Sequence, residues 1–577
     1  MADKDRTVST GHYADIREKH VGEAALNPGQ QVSKVFKQEG VDIVFTLCGG
    51  HIVTVHEGCV EEGISVIDVR HEQAAVHAAE GYAIATGRPG VAVLTAGPGV
   101  TNGVTGVASA FMSGTPVMVV GGRSPLALFD KVALQDIDQA GMLRPICKWS
   151  RTVHHARRAG EYAASGFREM LDGRPGPVFI DIPLDLISED VPVDEVAPFA
   201  NYRTDSRSGA DPVDIDRAVD LLSKAKRPVI LASSGVHWSG AHAELQQFVE
   251  RSRIPLFTIN QARGGVPDDH ELAFGPMPFL GLRDADVLLA IGVTFDFRLD
   301  FGVFDRNVRV IHIDNDRRRI GLNRPVDVGI VADPKLALLQ LTAAITRQAH
   351  SAPWIEELRK RCRERMQELD ALAMTNSKYM HPLRIAKEVD EFVDRDASVI
   401  IDGGDISMYS SLRVRSYLPG RTISTLGPLG NIGGGIPFGL ATQALRPGKQ
   451  TLIIVGDGSF GMNAMEFDTA VRHNLPVVCV IANDGGWGNI RWPWKKRRKD
   501  GFSVGVELGF RRYERIVEAM GGYGEFVEKA KDLRPALERA FASGRPACIN
   551  VLTDPAPAST PYEFLSDGWR ARTTRRA

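Results

Sequence analysis

Two aspartates, Asp457 and Asp484, stand at the ends of successive apolar runs, and each is followed by glycine. The first run reads "TLIIVGDGSFG" and the second "PVVCVIANDGGWGN", with Asp484 27 residues after Asp457. Two β-branched runs separated by a helix-length interval predict a βαβ unit, whose parallel strands end on one sheet edge. Ligands bind in the crevice outside that edge. Glycines there let the backbone come close and turn N–H groups toward phosphate oxygens. Asp457 and Asp484 can then offer carboxylate oxygens to a hard cation that bridges those phosphates. Mg²⁺ takes one or two carboxylates and completes its shell with phosphate and water. Asp-Gly alone is a common turn dipeptide. Its recurrence at the end of the next strand lifts the pair above ordinary turns.

A third carboxylate, Glu72, follows the strand-like "SVIDVR" and opens the small-residue segment "HEQAAVHAAEGYAIAT". At such a place an acidic residue can simply complement a helix dipole. Buried in a dry site, it can also share a proton with a ligand. A strand-like run and the turn "GPGVTN" (97–102) follow it. The adjacent His71 faces substrate or solvent and is assigned no chemistry.

These residues need rigid strand ends to hold them. Short β-branched runs alternate with longer amphipathic stretches along most of the chain, the pattern of βα units around parallel sheets. Three blocks appear, at about 28–195, 212–345 and 380–553, with the polar "FANYRTDSRSGADP" as a linker between the first two. A charged helical segment, 354–372, leads into the third block, and residues 554–577 form a basic tail. The blocks close on strands preceded by "GRPGP", "NRPVD" and "GRPA", a weak hint of three related units. With 577 residues the chain exceeds one hydrophobic core, and three or four domains are expected. A formal net charge of −2 gives no global attraction to nucleic acid or an anionic membrane. Six scattered cysteines without a C-x-x-C pair read as reduced core residues. A polar N-terminus and the lack of any long apolar stretch predict neither a signal peptide nor a membrane span, hence a cytoplasmic protein.

Together the "GDG" run, the Asn483-Asp484 pair, the Glu72 segment and "GPLGNIGGGIPFGLATQAL" resemble thiamine-diphosphate-dependent enzymes. The group is that of acetolactate synthases, oxalyl-CoA decarboxylases and 2-hydroxyacyl-CoA lyases. The resemblance spans about residues 28–553 and implies three parallel-sheet α/β domains: pyrimidine-binding, middle nucleotide-binding-like and diphosphate-binding. Transketolase-like relatives order their domains differently. It implies thiamine diphosphate and Mg²⁺ as cofactors, with Asp457, Asp484 and the Gly486 carbonyl on the metal. The family pattern has an Asn-Asn pair, and Asp484 replaces the second Asn, adding a negative charge beside the diphosphate. Gly458, Ser459 and Trp487 belong to the same cofactor-binding run. Glu72 is implied to hydrogen-bond the aminopyrimidine and favour its imino tautomer, so that the cofactor's own nitrogen takes the thiazolium proton. Ile432 would stand under the bent cofactor, Gly430 would bind the pyrimidine amino group, and Gly404, Asp405 and Ile406 would contact the diphosphate. In this family one cofactor is bound by two subunits, which implies a homodimer or homotetramer with shared active sites.

Within the group the signals divide. "FDFR" is similar to acetolactate synthases and the following "LDFG" to the acyl-CoA enzymes. The middle domain resembles a nucleotide-binding one, which implies ADP, FAD or no ligand near Gly292, Arg298, Asp314 and Asp333. Gln135, in "ALQDIDQAGM", aligns with a substrate-facing glutamine or glutamate and is the second catalytic candidate. The basic run Lys495–Lys499 follows the crevice strand and could attract the phosphates of an acyl-CoA, with the tail (Arg570, Arg572, Arg575, Arg576) as a candidate lid. The favoured expectation is a reversible 2-hydroxyacyl-CoA lyase giving an aldehyde or ketone plus formyl-CoA, or a related acyl-CoA decarboxylase. The alternatives are an acetolactate synthase-type carboligase acting on pyruvate and a non-catalytic nucleotide-binding protein that keeps the fold.

Overall fold

Apolar runs without polar alternation mark strands buried on both faces, and here they assemble into three parallel sheets. A computed structural model describes residues 25–305, 307–346, 352–375, 377–498 and 503–557. The first sheet takes β1 (Ile43–Leu47), β2 (Ser65–Asp68), β3 (Gly90–Leu94), β4 (Val117–Arg123), β5 (Trp149–Thr152) and β6 (Val178–Pro183), in the order β2-β1-β3-β4-β6-β5. The middle sheet orders β7 (Pro228–Ala232), β8 (Leu256–Thr258), β9 (Val287–Ile291), β10 (Arg309–Asp314) and β11 (Val328–Val331) as β8-β7-β9-β10-β11. The third takes β12 (Ser398–Ile401), β13 (Thr422–Ser424), β14 (Thr451–Gly456), β15 (Val478–Asn483), β16 (Tyr523–Val527) and β17 (Ala547–Leu552), in the order β13-β12-β14-β15-β17-β16. The first and third sheets thus repeat one topology, and the middle sheet shares its first four places.

The strands are shorter than the apolar runs that announce them. "GVAVLTAGPG" is strand only to Leu94, because Gly97 turns the chain at φ 59° and Pro98 starts a helix. Helices α1 (Glu72–Thr86) and α2 (Pro98–Ser113) belong to the first sheet, with the short α3 (Gln139–Leu143) beyond them. The middle domain runs from a helix beginning at Pro212 to α4 (Pro334–Ala344). The charged segment is α5 (Ala352–Ala373), whose buried residues are few and divided. Trp354, Ile355 and Leu358 join the middle core, while Leu369 and Ala373 pack with Leu383 and Tyr409 of the third domain. This one helix therefore joins two cores.

In the third domain, α6 (Asp405–Arg413), α8 (Asp457–Asn463) and α10 (Gly488–Arg497) start at or near the C-terminal ends of strands, while α7 (Gly435–Leu445) follows the loop after β13 and α9 (Glu466–Arg472) follows α8. Helix α7 lies against α1 of the first domain. The crossing is close because Gly81 has no side chain: a Cβ there would fall 2.8 Å from Phe438 Cα. The apolar cores of the two outer domains lie on both faces of their sheets, and the cysteines are all unpaired, with Cys48 exposed. Among the described residues no helix is long and apolar enough to cross a membrane. Residues 558–577, which carry the candidate lid, lie outside the described residues, as does Lys499 of the basic run.

Candidate active site

Strands β12, β14 and β15 are neighbours, so the loops leaving their C-terminal ends meet. The chain turns there through glycines that admit nothing larger. A Cβ at Gly403, where φ is 104°, would fall 2.9 Å from the Gly456 nitrogen, and one at Gly404 would fall 3.0 Å from the Asn489 amide. At Gly458 it would fall 2.4 Å from the Trp487 ring. At Gly488 it would meet Asp484 Oδ2 at 2.7 Å and Asp405 Oδ2 at 3.0 Å. Asp457 and Asp484 thus leave one edge of the sheet, and Gly404, Asp405, Ile406, Gly458, Ser459, Gly486 and Trp487 lie on the loops and helix starts beside them.

Asp457 begins α8 with Oδ1 accepting the Gly458 N–H at 2.8 Å. Its Oδ2 is buried and has no hydrogen-bond partner among the described residues. Burial, and then the nearby Asp484, push the Asp457 carboxyl up to about 7. Burial pushes Asp484 up to about 6, against the pull of Arg491. Two carboxyls that ionise reluctantly, one with an idle oxygen, form a donor set suited to a cation held jointly with phosphate. Backbone cradles that exclude a Cβ suit the phosphate itself. The residues present therefore fit Mg²⁺ and a diphosphate.

The second loop of the third domain, 425–435, is fixed by Asp402, which is not among the site residues expected from the sequence. Its carboxylate accepts from Gly403 N (2.7 Å), Thr425 Oγ1 (2.7 Å), Gly433 N (3.0 Å) and Gly435 N (2.9 Å). Asn463 of α8 adds a bond to the Gly433 carbonyl at 2.6 Å. Gly430 (φ 71°) and Ile432 ride on this loop, Gly430 exposed and Ile432 half-buried. Asp402 could have been suspected from "IIDGGD", an acid directly after an apolar strand.

Glu72 is the first residue of α1 and is buried, with Oε2 accepting from Asn102 Nδ2 at 2.9 Å. His71 is the N-cap, its ring accepting the Gln73 N–H. The Gly97-Pro98-Gly99 turn lies beside Glu72, a Cβ on Gly99 falling 3.7 Å from Oε1. Gln135, half-buried at φ 61°, packs on this turn: a Cβ on Gly97 would fall 2.8 Å from its Cβ. The turn is held by a different glutamine, Gln139, which accepts the Gly97 N–H at 2.6 Å and donates to Gly122 O and Asp181. Within the chain, the start of α1 is clasped by Glu466, which accepts from Arg70 N (3.0 Å) and His71 N (3.1 Å). Among the described residues, no hydrogen bond or ion pair joins Glu72 to Asp457 or Asp484.

A separate cavity of about 1100 Å³ opens between the three domains. Gly292, Arg298 and Asp314 line it; Asp333 does not. Gly292 (φ 60°) lets its backbone touch that of Gly235, a Cβ there falling 2.4 Å from Gly235 Cα. Arg298 pairs with Asp296 at 2.6 Å and reaches Asn260. Asp314 is buried and pushed up to about 6. Asp333 instead caps α4, accepting the Lys335 N–H, and pairs with Arg207 at 2.7 Å. A sequence that reads as strand, Ala-Asp-Pro and helix contains that capping role.

The chain matches models of three consecutive domains. They are the thiamine pyrophosphate enzyme N-terminal TPP binding domain over 26–142, the central domain over 215–341 and the C-terminal TPP binding domain over 402–551. It is 40% identical over 543 residues to acetolactate synthase large subunit IlvG of Mycobacterium tuberculosis, covering 92% of this chain and 97% of the relative. It is 31% identical over 587 residues to 2-hydroxyacyl-CoA lyase 2 of Bos taurus, covering 94% and 92%. The Homo sapiens protein of that name is 30% identical over 569 residues, covering 91% and 89%.

Proposed function

The chain belongs to the thiamine pyrophosphate enzyme family, and from that premise we propose that it is a reversible 2-hydroxyacyl-CoA lyase. It would cleave its substrate to an aldehyde or ketone plus formyl-CoA. The observation that carries this substrate class is the path of the basic run. Helix α10 leaves the crevice at Gly488 and, at ~1.5 Å per residue, brings Lys495 about 10 Å and its C-cap Arg498 about 15 Å along the helix from there, both exposed. The chain then comes back to where it left, with Trp487 N on Val506 O and Leu508 N on Gly485 O, each at 2.8 Å. A CoA thioester likewise separates its reacting carbonyl from its phosphates by a long arm.

When bound, thiamine diphosphate supplies a nucleophilic carbon and an electron sink for breaking or making a bond next to a carbonyl. The chain's own residues would do the rest. Asp457 and Asp484 would hold Mg²⁺ on the diphosphate, with the Gly486 carbonyl as a third ligand. Gly404, Asp405, Ile406, Gly458 and Ser459 would cradle the phosphates, the backbone near Gly430 would bind the pyrimidine amino group, and Ile432 would pack under the cofactor. Glu72 would hold a proton at the pyrimidine ring, oriented by Asn102. Gln135, beside the same turn, would face the substrate. The cavity between the domains would take ADP or FAD at Gly292, Arg298 and Asp314. Glu72 of one subunit would complete the site of Asp457 in another, making the enzyme a homo-oligomer.

A second reading, an acetolactate synthase-type carboligase acting on pyruvate, is favoured by the 40% identity over nearly all of both chains. A screen of pyruvate, oxalyl-CoA and several 2-hydroxyacyl-CoAs separates the two. Turnover confined to pyruvate, with carbon dioxide release, would overturn the lyase. Neutralising Lys495, Lys496, Arg497, Arg498 and Lys499 should raise KM for the thioester more than it lowers kcat, as loss of uniform binding does. The defect should shrink with salt, which screens exposed charges over ~8–10 Å. An unchanged kcat/KM at low salt would remove the loop as a CoA site.

A further inference from the structure

The aspartate that replaces the second Asn of the family pattern does not stand alone. Arg491, one turn into α10, has a side chain almost wholly buried. Its Nη1 donates to the Asp484 carbonyl at 3.1 Å and to Asp484 Oδ2 at 3.2 Å. Its Nη2 pairs at 3.0 Å with Glu507, whose backbone bridges to Gly486. The guanidinium fills the space in front of Gly486 so closely that a Cβ there would lie 1.8 Å from Nη2. Only glycine fits at 486, between the Arg491 guanidinium and the Val506 carbonyl, which a Cβ would approach to 2.3 Å.

We propose that Asp484 and Arg491 work as one unit, in which the arginine offsets the charge of the aspartate and turns its carboxylate into the crevice, while Glu507 ties both to the returning strand. The proposal rests on the reading that this crevice holds Mg²⁺ and thiamine diphosphate. Arg491 is a positioning residue there, acting through Asp484. An unpaired Asp484 would repel the diphosphate, and a buried Arg491 that kept only the half-exposed Glu507 as its counter-charge would repel the metal more strongly. Asparagine at 484 is then no simple return to the family pattern.

A double-mutant cycle of Asp484→Asn, Arg491→Met and the two combined tests this on apoprotein by calorimetry with thiamine diphosphate at fixed Mg²⁺. Each single change should weaken binding by about tenfold or more, and the double variant should bind more tightly than the weaker single one. Losses that multiply, or a single variant that binds like wild type, would overturn the pair. If Arg491→Met alone does not fold, recovery of folding by the added Asp484→Asn supports the pair, and failure of both overturns it. Glu507→Gln, at a half-exposed side chain, should weaken binding several-fold, and unchanged binding would overturn the tie to the returning strand. Wild-type protein that binds no thiamine diphosphate would sink the cofactor reading itself; wild-type binding with an additive cycle would sink only the pair.

Discussion

Glu72 is fixed by its place at the first turn of α1 and by Asn102, so glutamine can occupy the same space without a proton to share. Glu72→Gln should keep thiamine diphosphate affinity and lose turnover by about 10²–10⁴-fold, the usual contribution of a general acid–base group. Unchanged proton exchange at the cofactor's thiazolium carbon, followed by NMR, would deny it that role. The aspartates predict a pH dependence. Burial raises Asp457 to about 7 and Asp484 to about 6, above the usual carboxylate range near 4. A carboxyl raised on folding contributes stability that is complete below about pH 4 and is lost as pH rises through its folded value. Metal-free protein should therefore lose melting temperature between pH 5 and 8, less so in Asp457→Asn. Mg²⁺ ligation needs the ionised forms, so cofactor affinity at fixed Mg²⁺ should fall from pH 8 to pH 6, with proton release on binding measurable in buffers of different ionisation enthalpy.

Among the elements, the two loops around the crevice are coupled through one buried carboxylate. Asp402 accepts from Gly403 in one loop and from Thr425, Gly433 and Gly435 in the other. Asp402→Asn would face one of those donors with another donor, at about 1–3 kcal/mol for a buried group left unpaired. The melting temperature should fall, and thiamine diphosphate affinity should fall with it by about tenfold, since both loops lose their common anchor. Calorimetry finding the cofactor bound as in wild type would show that the loops hold their shape without it. Glu466 makes the equivalent link for α1, carrying the Glu72 end of the first domain on the third.

For the whole molecule, the chain clasps the start of α1 with Glu466, not with the aspartate pair. If a second subunit supplies the aspartates opposite Glu72, the two inactive variants Glu72→Gln and Asp457→Ala should complement each other. Mixed dimers would carry one intact site and one doubly damaged site. An equal mixture, refolded or exchanged together, should recover about one quarter of wild-type activity by random pairing. No recovery, with mixed dimers confirmed by mass, would place Glu72 and Asp457 of one site in one chain.

Much of this was legible in the sequence because strand ends in parallel α/β domains are local. An apolar run ending in Gly-Asp-Gly fixes both the strand and the edge at which Asp457 emerges, and the same logic singles out Asp484; Glu72 stands out only through the family resemblance of its surroundings. Three sheets follow from the alternation of runs, since buried parallel strands must be continuously apolar. What the sequence could not give was which distant groups meet. Arg491 beside Asp484, Asp402 under Gly433, Gln139 under Gly97 and Glu466 under Arg70 are set by packing across elements, and no periodicity encodes them. Asp333 was drawn toward the nucleotide cavity by its neighbours in sequence, while the fold uses it to cap α4. Hydrophobic pattern decides which segments are buried together; the pairing of polar groups is decided only when burial leaves each of them one partner within reach.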